Sequence, residues 1–342
     1  MAQNRQWLFN KRPKKDIEAD TLILQDTNLP EPGDGEFLLR SIYVSMDATN
    51  RLWLGDWDLY MEPITPGQPM KGFTLGEVVK SRNPAFPVGA LAAGLAPWAE
   101  YSVHDGIGFS VMPNIPGLKL AEAFGVLAIA GPTALVGLME VGRAKKGDTV
   151  VVTAAAGAVG MLVGQIAKIH GCKAIGIAGG AEKCRWLTEE FGYDHAIDYK
   201  REDVVQRLRG LAPEGVDVHY ENVGGELLDA GLSVMKNFGS VVICGLISTY
   251  NSAAGDRIPG PYMFRNLIMR RLRVEGFVIL DYVDKYPQYQ QQLAGWMLEG
   301  RLKGRMHVEP GIERAVDALK MLYTGANTGK LMVQFGREPQ GS

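Results

Sequence analysis

The 342-residue sequence has the composition of a globular protein, with 46% hydrophobic and 22% charged residues. Its formal net charge is only −2, so the charge balance indicates neither a nucleic acid nor an anionic membrane as a partner. No apolar run approaches the length needed to cross a membrane, and residues 1–15 lack the apolar core of a secretory signal. A chain of this length predicts about two domains with ample cores.

Residues 1–128 predict a compact, mainly antiparallel β domain. Short strand candidates alternate there with turns rich in proline and glycine, at Thr21–Gln25, Glu36–Val44, Phe73–Lys80 and Ala99–Val103. The next segment predicts two apolar helices, Ala121–Ala130 and Thr133–Glu140, with a break at Gly131-Pro132. We interpret this change of character as the junction between two domains.

The stretch from Asp148 to Ile177 predicts a strand, a helix and a second strand. Val150–Val152 suits a buried parallel strand, and the glycine-bearing turn that follows is typical of dinucleotide-binding units. Gly157 and Gly160 match the second and third glycines of that fingerprint, but Ala155 replaces the first. A pyrophosphate would bind at the helix N-terminus, and the alternative is a tight turn without a ligand.

The remainder of the chain alternates strands and helices, which predicts a doubly wound parallel sheet of six strands. The later strands are expected at Ala196-Ile197, Val216–Tyr220, Ser240–Cys244 and Arg273–Val278, and the helices at Glu182–Phe191, Glu202–Leu211 and Gly225–Met235. Two more helices are expected near Tyr286–Leu298 and Ile312–Leu322. A final strand, Gly329–Phe335, is expected to return to the sheet of the first domain.

The end of the second strand of the βαβ unit indicates which dinucleotide binds. The strand ends in Ala178-Gly179-Gly180 without the acidic residue that usually binds the ribose hydroxyls of NAD, and Lys183 follows. A missing carboxylate and a nearby cation favour the 2′-phosphate of NADPH. The alternative for Lys183 is a solvated side chain in the first turn of a helix, and Arg185 is a weaker second candidate.

The cysteines and histidines favour neither a disulfide framework nor a metal site. Cys172, Cys184 and Cys244 are too few and too dispersed for a disulfide framework, which indicates a reduced, cytoplasmic location. They lack the spacing of a structural zinc site, and the five histidines form no pair with ligand spacing.

Several runs, in this order and spacing, resemble the medium-chain dehydrogenase/reductase superfamily, and within it the zinc-free prostaglandin reductase and alkenal double-bond reductase branch, which includes curcumin-reductase-like enzymes. The runs are Gly131–Ala134, Ala154–Gly160, Gly179–Lys183, Glu221–Gly225, Cys244–Asn251 and Asn327–Lys330. The resemblance implies an α/β fold in which a Rossmann doubly wound parallel sheet is joined to a GroES-like, mainly antiparallel β domain. The implied domains are 1–128 GroES-like, 129–298 Rossmann and 299–342 returning to the first.

The resemblance also implies NADP(H) as the cofactor, a cleft between the domains and a homodimer. Lys183 and Tyr199 would lie at the 2′-phosphate, and no cysteine precedes Cys172, so a catalytic metal is not expected. The expected cofactor-binding residues are Thr133, Gly157, Ala158, Val159, Gly160, Lys183, Tyr199, Asn222, Cys244, Gly245, Ser248, Tyr250, Phe277, Val278, Ile279 and Asn327.

One run departs from the branch. The branch reads Asp-Pro-Tyr-Met-Arg near the substrate slot, whereas this chain reads Asp47-Ala-Thr-Asn-Arg51. An aromatic side chain and a methionine are therefore missing from this run, which suggests a wider or more polar pocket.

The expected activity is NADPH-dependent reduction of the carbon–carbon double bond of α,β-unsaturated aldehydes and ketones. Tyr250 is the candidate catalytic residue, because a neutral phenol donates a hydrogen bond to the carbonyl oxygen on which charge builds. The alternative for Tyr250 is a packing residue that orders its loop. The alternative functions are an NADPH quinone oxidoreductase and, with less support, a non-catalytic NADPH-binding protein.

Overall fold

A computed structural model describes residues 3–56, 59–252 and 256–339. The N-terminal region of the chain is built mainly of strands. They are β1 Gln3–Phe9, β2 Leu22–Asn28, β3 Phe37–Ser45, β4 Lys71–Ser81, β5 Leu91–Pro97, β6 Tyr101–His104 and β7 Phe109–Val111, with the short helix α1 Thr49–Leu52 after β3. The pairing of β1 with β2, of β3 with β4 and β6, and of β5 with β4 and β7 is antiparallel.

All four strands expected here are present with shifted ends, and β1, β5 and β7 are additional. Strand β5 consists of small and apolar residues, and no strand was expected there. A Cβ at Gly94 would lie 2.6 Å from Cγ of Phe109 on β7, so a residue without a side chain is needed for the two strands to pair. Alanine and glycine have low strand propensity, which explains why the pattern did not predict this strand.

The junction consists of α2 Leu120–Leu127, α3 Ala130–Leu135 and a π-helical turn, Val136–Val141. The break lies between α2 and α3, and Pro132 lies in the first turn of α3, where its missing N–H breaks no helical bond. By length and composition Leu120–Val141 is sufficient to cross a membrane, with mean hydropathy 1.8, so the expectation that no run reaches this length was wrong. Because 78% of that window is buried, the segment has the character of a core helix.

The second sheet has the strand order β10-β9-β8-β11-β12-β13, and all its strand pairs are parallel. Its strands are β8 Thr149–Val152, β9 Lys173–Ala178, β10 His195–Asp198, β11 Val216–Glu221, β12 Met235–Ile243 and β13 Arg273–Gly276. The helices between them are α4 Gly160–Ile169, α5 Ala181–Glu189, α6 Val204–Leu211, α7 Gly225–Val234 and α8 Asn266–Arg270. This order is that of a dinucleotide-binding Rossmann sheet, and the predicted doubly wound α/β architecture is confirmed.

Alternate residues of β8 point to opposite faces of this sheet, and both faces are covered. Val150 and Val152 pack into one hydrophobic core, whereas Val151 packs into the other with Ile175 and Ile177. All three valines are fully buried, as expected for the central strand of a parallel sheet.

The C-terminal part of the chain returns to the first sheet. It contains α9 Tyr286–Leu298, β14 Met306–Pro310, α10 Ala315–Thr324 and β15 Lys330–Gln334. Strand β15 pairs antiparallel with β3, with Met332 opposite Ser45, and parallel with β14. The first sheet therefore has the order β14-β15-β3-β4-β5-β7, with β6 paired to β3.

Candidate active site

A cleft of about 1670 Å³ is lined by residues from both the first and the second sheet regions. The structure brings every predicted cofactor and catalytic residue to the wall of this one cleft. They are Thr133, Gly157, Ala158, Val159, Gly160, Lys183, Tyr199, Asn222, Cys244, Gly245, Ser248, Tyr250, Phe277, Val278, Ile279 and Asn327.

The glycine-bearing turn connects β8 to α4 at the cleft. A Cβ at Gly160 would lie 2.4 Å from the carbonyl oxygen of Ala154, so helix and strand can approach this closely only if the residue is glycine. Val159 at the N-cap of α4 provides no side-chain hydrogen bond to the helix. Met161 and Leu162 of the first turn donate to the carbonyl oxygens of Gly157 and Val159, both at 3.0 Å. The N–H groups just before them, at residues 158–160, are the ones suited to bind an anion such as a pyrophosphate.

A buried carboxylate shapes the neighbouring turn after β11. Glu221 accepts hydrogen bonds from His219 at 2.7 Å and from the backbone N–H groups of Val223 and Gly224. Burial alone would raise the pKa of Glu221, but these bonds lower it below its ordinary value. Thr153 also donates to Glu221, at 2.8 Å, so the carboxylate connects the turns that follow β8 and β11.

Asn222 lies beside this carboxylate and is held by two hydrogen bonds to Thr153. Its backbone N–H donates to the Thr153 hydroxyl and its side-chain amide donates to the Thr153 carbonyl, both at 2.8 Å. The sequence pattern indicated Asn222 as a functional residue, but it did not indicate Glu221 or Thr153. The acidic residue at the start of Glu221–Gly225 was a feature of the sequence that could have indicated a buried carboxylate here.

At one end of the cleft, Lys183 and Tyr199 lie close to the end of β9. A Cβ at Gly179 would lie 2.9 Å from both the Tyr199 ring and Cε of Lys200, so the chain is tightly packed here. The end of β9 itself carries no acidic residue, but Asp198 at the end of β10 accepts a hydrogen bond from the Gly180 N–H at 2.8 Å, and Glu202 also lines the cleft. Burial and the neighbouring charge of Lys200 lower the pKa of Lys183. The lining cation Lys183 and the Tyr199 phenol suit a phosphate monoester. Arg185, the weaker candidate, is not among the lining residues.

Lys183 also connects the two sides of the cleft. Its ammonium group donates a 2.7 Å hydrogen bond to the carbonyl oxygen of Gly325, at the C-terminal end of α10. Helix α10 belongs to the returning part of the chain, so this bond joins the Rossmann sheet region to the segment that leads to Asn327.

Tyr250 lies on the loop after β12, beside a short 3₁₀ turn, Ile247–Thr249. Its hydroxyl accepts a hydrogen bond from the backbone N–H of Leu246 at 3.0 Å. Burial raises the pKa of Tyr250 above its ordinary value, so the phenol keeps its proton at physiological pH. A neutral hydroxyl that already accepts one bond still has a proton to donate into the cleft.

The wall on the side of the first sheet is rich in aromatic and methionine side chains. They are Met46, Trp53, Tyr60, Met61, Phe73, Phe109, Met112 and Tyr323. These side chains make this wall of the cleft largely apolar, although the altered run itself contributes no aromatic side chain or methionine. A slot wider than that of the branch stays a prediction. Tyr60 and Met61, nine and ten residues after the end of the altered run, place an aromatic ring and a thioether in the wall.

The altered run is anchored by a partly buried ion pair and by hydrogen bonds to a carbonyl oxygen. Lys330, whose side chain is 4% exposed, binds Asp47 at 2.6 Å, which connects β15 to the end of β3. Arg51 is buried and donates two hydrogen bonds to the carbonyl oxygen of Lys15, at 2.6 and 3.1 Å. Asp47 lines the cleft, and the sequence analysis did not assign it a partner.

Two family models match the chain: an N-terminal domain of oxidoreductase at residues 5–112, and a zinc-binding dehydrogenase at residues 158–295. The NADPH-dependent curcumin reductase of Escherichia coli is 34% identical over 97% of each chain. This chain belongs to the medium-chain dehydrogenase/reductase superfamily. In the described part of this medium-chain reductase, no group of three or more His, Cys, Asp or Glu side chains is arranged to bind a metal ion.

Other members of the superfamily are similarly related to this reductase. The NADP(+)-dependent 2-alkenal reductase of Nicotiana tabacum is 37% identical and the alignment covers 96% of this chain and 95% of the relative. A solved structure of CurA from Vibrio vulnificus in complex with NADPH is 36% identical, with a TM-score of 0.91 over 98% of this chain and 100% of that one. The likeness therefore extends over the whole fold.

Proposed function

We propose that this protein uses NADPH to reduce the carbon–carbon double bond of α,β-unsaturated aldehydes and ketones. The observation that supports this most is a single cleft, which combines a helix N-terminus without a side-chain cap, a cationic end at Lys183 and a neutral phenol at Tyr250. Relatives along the full chain are named as NADPH-dependent curcumin reductase and 2-alkenal reductase, which supports the cofactor and the reaction class.

The cofactor would be bound along the C-terminal edge of the second sheet. The N-terminus of α4 and the turn at Gly157–Gly160 would bind the pyrophosphate, and Lys183 with Tyr199 would bind the 2′-phosphate. The other lining residues would contact the ribose and nicotinamide. These are Thr133, Asn222, Cys244, Gly245, Ser248, Phe277, Val278, Ile279 and Asn327.

In the proposed reaction NADPH, when bound, would supply a hydride for the β-carbon of the substrate. Tyr250 donates a hydrogen bond to the carbonyl oxygen, where negative charge builds, and so stabilises the transition state. The buried network of Glu221, Thr153 and Asn222 fixes the turn after β11. Ser248, on the same loop as Tyr250, donates to the Val223 carbonyl in that turn at 2.6 Å, so the network also positions the Tyr250 loop. Water or Tyr250 then protonates the α-carbon.

The test is NADPH oxidation at 340 nm with a 2-alkenal, a cyclic enone, an aryl enone and a quinone, each repeated with NADH. We expect NADPH-dependent turnover of the enones with a saturated carbonyl product. Turnover of the quinone alone would identify a quinone oxidoreductase instead. Tight NADPH binding without turnover of any acceptor would favour a non-catalytic binding protein.

We also propose that the reductase is cytoplasmic, acts without zinc and has domains at 1–128, 129–298 and 299–342. The dispersed cysteines and the absence of cysteine before Cys172 support the first two statements. The pairing of β15 with β3 supports a discontinuous first domain.

A homodimer is supported by an exposed apolar face at the edge of the second sheet. Strand β13 is the edge strand, and most of its residues are exposed. Beside it lie exposed apolar side chains on β12, on the 3₁₀ turn Tyr262–Arg265 and on α8: Phe238, Tyr262, Phe264, Ile268 and Met269. An unpaired edge with adjacent apolar surface suits a second copy of the chain, because a two-fold axis would place the same face against itself.

A further inference from the structure

The loop between β1 and β2, residues 10–21, reaches the Tyr250 loop, residues 244–252. Asn251 directly follows Tyr250, and its side-chain amide donates a 2.9 Å hydrogen bond to the carboxylate of Asp16 in the β1–β2 loop. The β1–β2 loop belongs to the first sheet region, whereas the Tyr250 loop follows β12 of the second sheet. The bond between Asp16 and Asn251 therefore joins the Tyr250 loop to the opposite region of the molecule.

The β1–β2 loop is anchored on the first sheet region on both sides of Asp16. Ile17 is buried in the same hydrophobic core as Trp53, which also lines the cleft. Arg51, which is 1% exposed, donates two hydrogen bonds to the carbonyl oxygen of Lys15, at 2.6 and 3.1 Å. The residues before and after Asp16 are thus fixed, and so is the backbone that carries its carboxylate.

The buried guanidinium of Arg51 also attracts the Asp16 carboxylate. Burial lowers the pKa of Arg51, and the neighbouring phenol of Tyr323 and the charge of Asp16 oppose that shift. Within the described chain, Nη1 of Arg51 has no hydrogen-bond partner, so attraction to a nearby carboxylate offsets part of the cost of burying this charge. Asp16 is therefore held in place by the charge of Arg51 as well as by the bond to Asn251.

We infer that Asp16 is a positioning residue for Tyr250. The inference rests on the proposed function, in which the Tyr250 hydroxyl donates to the substrate oxygen. Ser248 fixes the Tyr250 loop on one flank by its 2.6 Å bond to the Val223 carbonyl, and Asn251 fixes it on the other flank by its bond to Asp16. A phenol held on both flanks keeps its hydroxyl aligned with the developing charge, and this alignment determines how well a donor stabilises an oxyanion.

Hydrogen exchange of the amides in residues 244–252 tests the bond between the two loops without any turnover. Asp16→Ala removes the acceptor, so we expect these amides to exchange about three- to tenfold faster, the range of one hydrogen bond. Asp16→Asn keeps an oxygen acceptor on a side chain of the same size, so its exchange should stay near that of the wild type. Asp20→Ala is the matched control on the β1–β2 loop, because the Asp20 carboxylate binds Lys11 instead.

Residues 149–169, in β8 and α4, provide the internal reference for these measurements. Their exchange should be the same in all the variants, which would show that the effect is confined to the Tyr250 loop. Unchanged exchange of residues 244–252 in Asp16→Ala would overturn the inference. Exchange in Asp16→Asn as fast as in Asp16→Ala would also overturn it, since the bond to Asn251 would then not be the cause.

A double-mutant cycle with Tyr250→Phe tests the effect on catalysis. With benzylideneacetone as the enone, Asp16→Ala should lower kcat by about three- to tenfold and change KM little, because the bond aligns a donor that acts in the transition state. In the Tyr250→Phe background, Asp16→Ala should cause no further loss, because the hydroxyl that Asp16 positions is absent. Equal losses of kcat in the two backgrounds would overturn the role through Tyr250. Faster exchange of the Tyr250 loop in Asp16→Ala, together with a wild type that reduces no enone, would support the positioning by Asp16 and refute the proposed function.

Discussion

At the scale of single residues, the proposed chemistry depends most on Tyr250. Tyr250→Phe removes the donor to the carbonyl oxygen, so we expect turnover of an aryl enone to fall by about ten- to a thousandfold, as for the loss of single oxyanion donors. The Leu246 N–H also loses its acceptor, so NADPH affinity and Tm should be measured alongside kcat. Unchanged turnover would show that Tyr250 only orders the loop.

Lys183 is the residue on which the choice between NADPH and NADH is expected to depend. Lys183→Ala removes a charge-assisted bond to the 2′-phosphate, so NADPH affinity should fall by about ten- to a hundredfold and NADH affinity much less. The loss of NADPH affinity must be compared with the loss of NADH affinity, because the variant lacks the bond from Lys183 to Gly325 with either cofactor. Arg185→Ala on the same helix is the control. Equal losses for both cofactors would exclude recognition of the phosphate by Lys183.

The sequence indicated the site residues whose roles depend on local pattern, such as the turn at Gly157–Gly160. It did not indicate those whose roles depend on distant partners. Lys330 binds Asp47 across 283 positions of the chain, and this pairing exists only because β15 returns to β3. Glu221 appeared as one polar residue of a motif, and its function as a buried anchor requires Thr153, which lies 68 positions earlier.

At the scale of elements, the junction of β8 and α4 depends on the absence of a side chain at Gly160. Gly160→Ala would place a Cβ 2.4 Å from the Ala154 carbonyl oxygen, so we expect a loss of about 1–3 kcal/mol in the free energy of unfolding and weaker NADPH binding. Chemical denaturation and cofactor titration measure the two effects. Gly210→Ala is the matched control, because a Cβ there on α6 contacts nothing within 4 Å.

Gly210→Ala should be neutral or stabilising by up to about 1 kcal/mol, since alanine favours a helix over glycine. If both variants behaved alike, close packing at Gly160 would not be the reason for the glycine.

Helices and strands with a strong hydrophobic periodicity were predicted well, whereas elements that depend on tertiary contacts were not. Helix α9 has the predicted bounds, whereas β12 begins at Met235, five residues before the expected strand. Strand β5 is composed of small residues, and it forms because β4 and β7 pair with its two edges. Pairing partners of this kind are not visible in the local pattern, so the tertiary contacts overrode the low strand propensity.

At the scale of the whole molecule, the order of strands and helices predicted the two architectures but not the walls of the cleft between them. The run Asp47–Arg51 suggested a wider or more polar pocket, and Tyr60, Phe109 and Tyr323 add aromatic rings to the same cleft from three other places in the chain. The shape of the slot follows from how the two regions pack, and one altered run therefore predicts little about it.

The expected homodimer is a property of the whole molecule, and its contact is expected at the apolar face beside β13. Ile268 on α8 is 76% exposed beside the edge strand β13, and Val88, in the turn between β4 and β5, is 64% exposed in the first sheet region. We expect the wild type to sediment at twice the 37.3 kDa mass of the chain and Ile268→Asp to sediment as a monomer, because a two-fold contact would bury both copies of the introduced charge.

Val88→Asp adds the same charge on a different face, so it should remain a dimer. NADPH titration checks that Ile268→Asp is folded, since Ile268 is not among the residues that line the cleft. A monomeric wild type, or an Ile268→Asp variant that stays as dimeric as Val88→Asp, would place the apolar face outside any dimer contact. Loss of the dimer in Ile268→Asp alone would assign the edge of the second sheet to the interface.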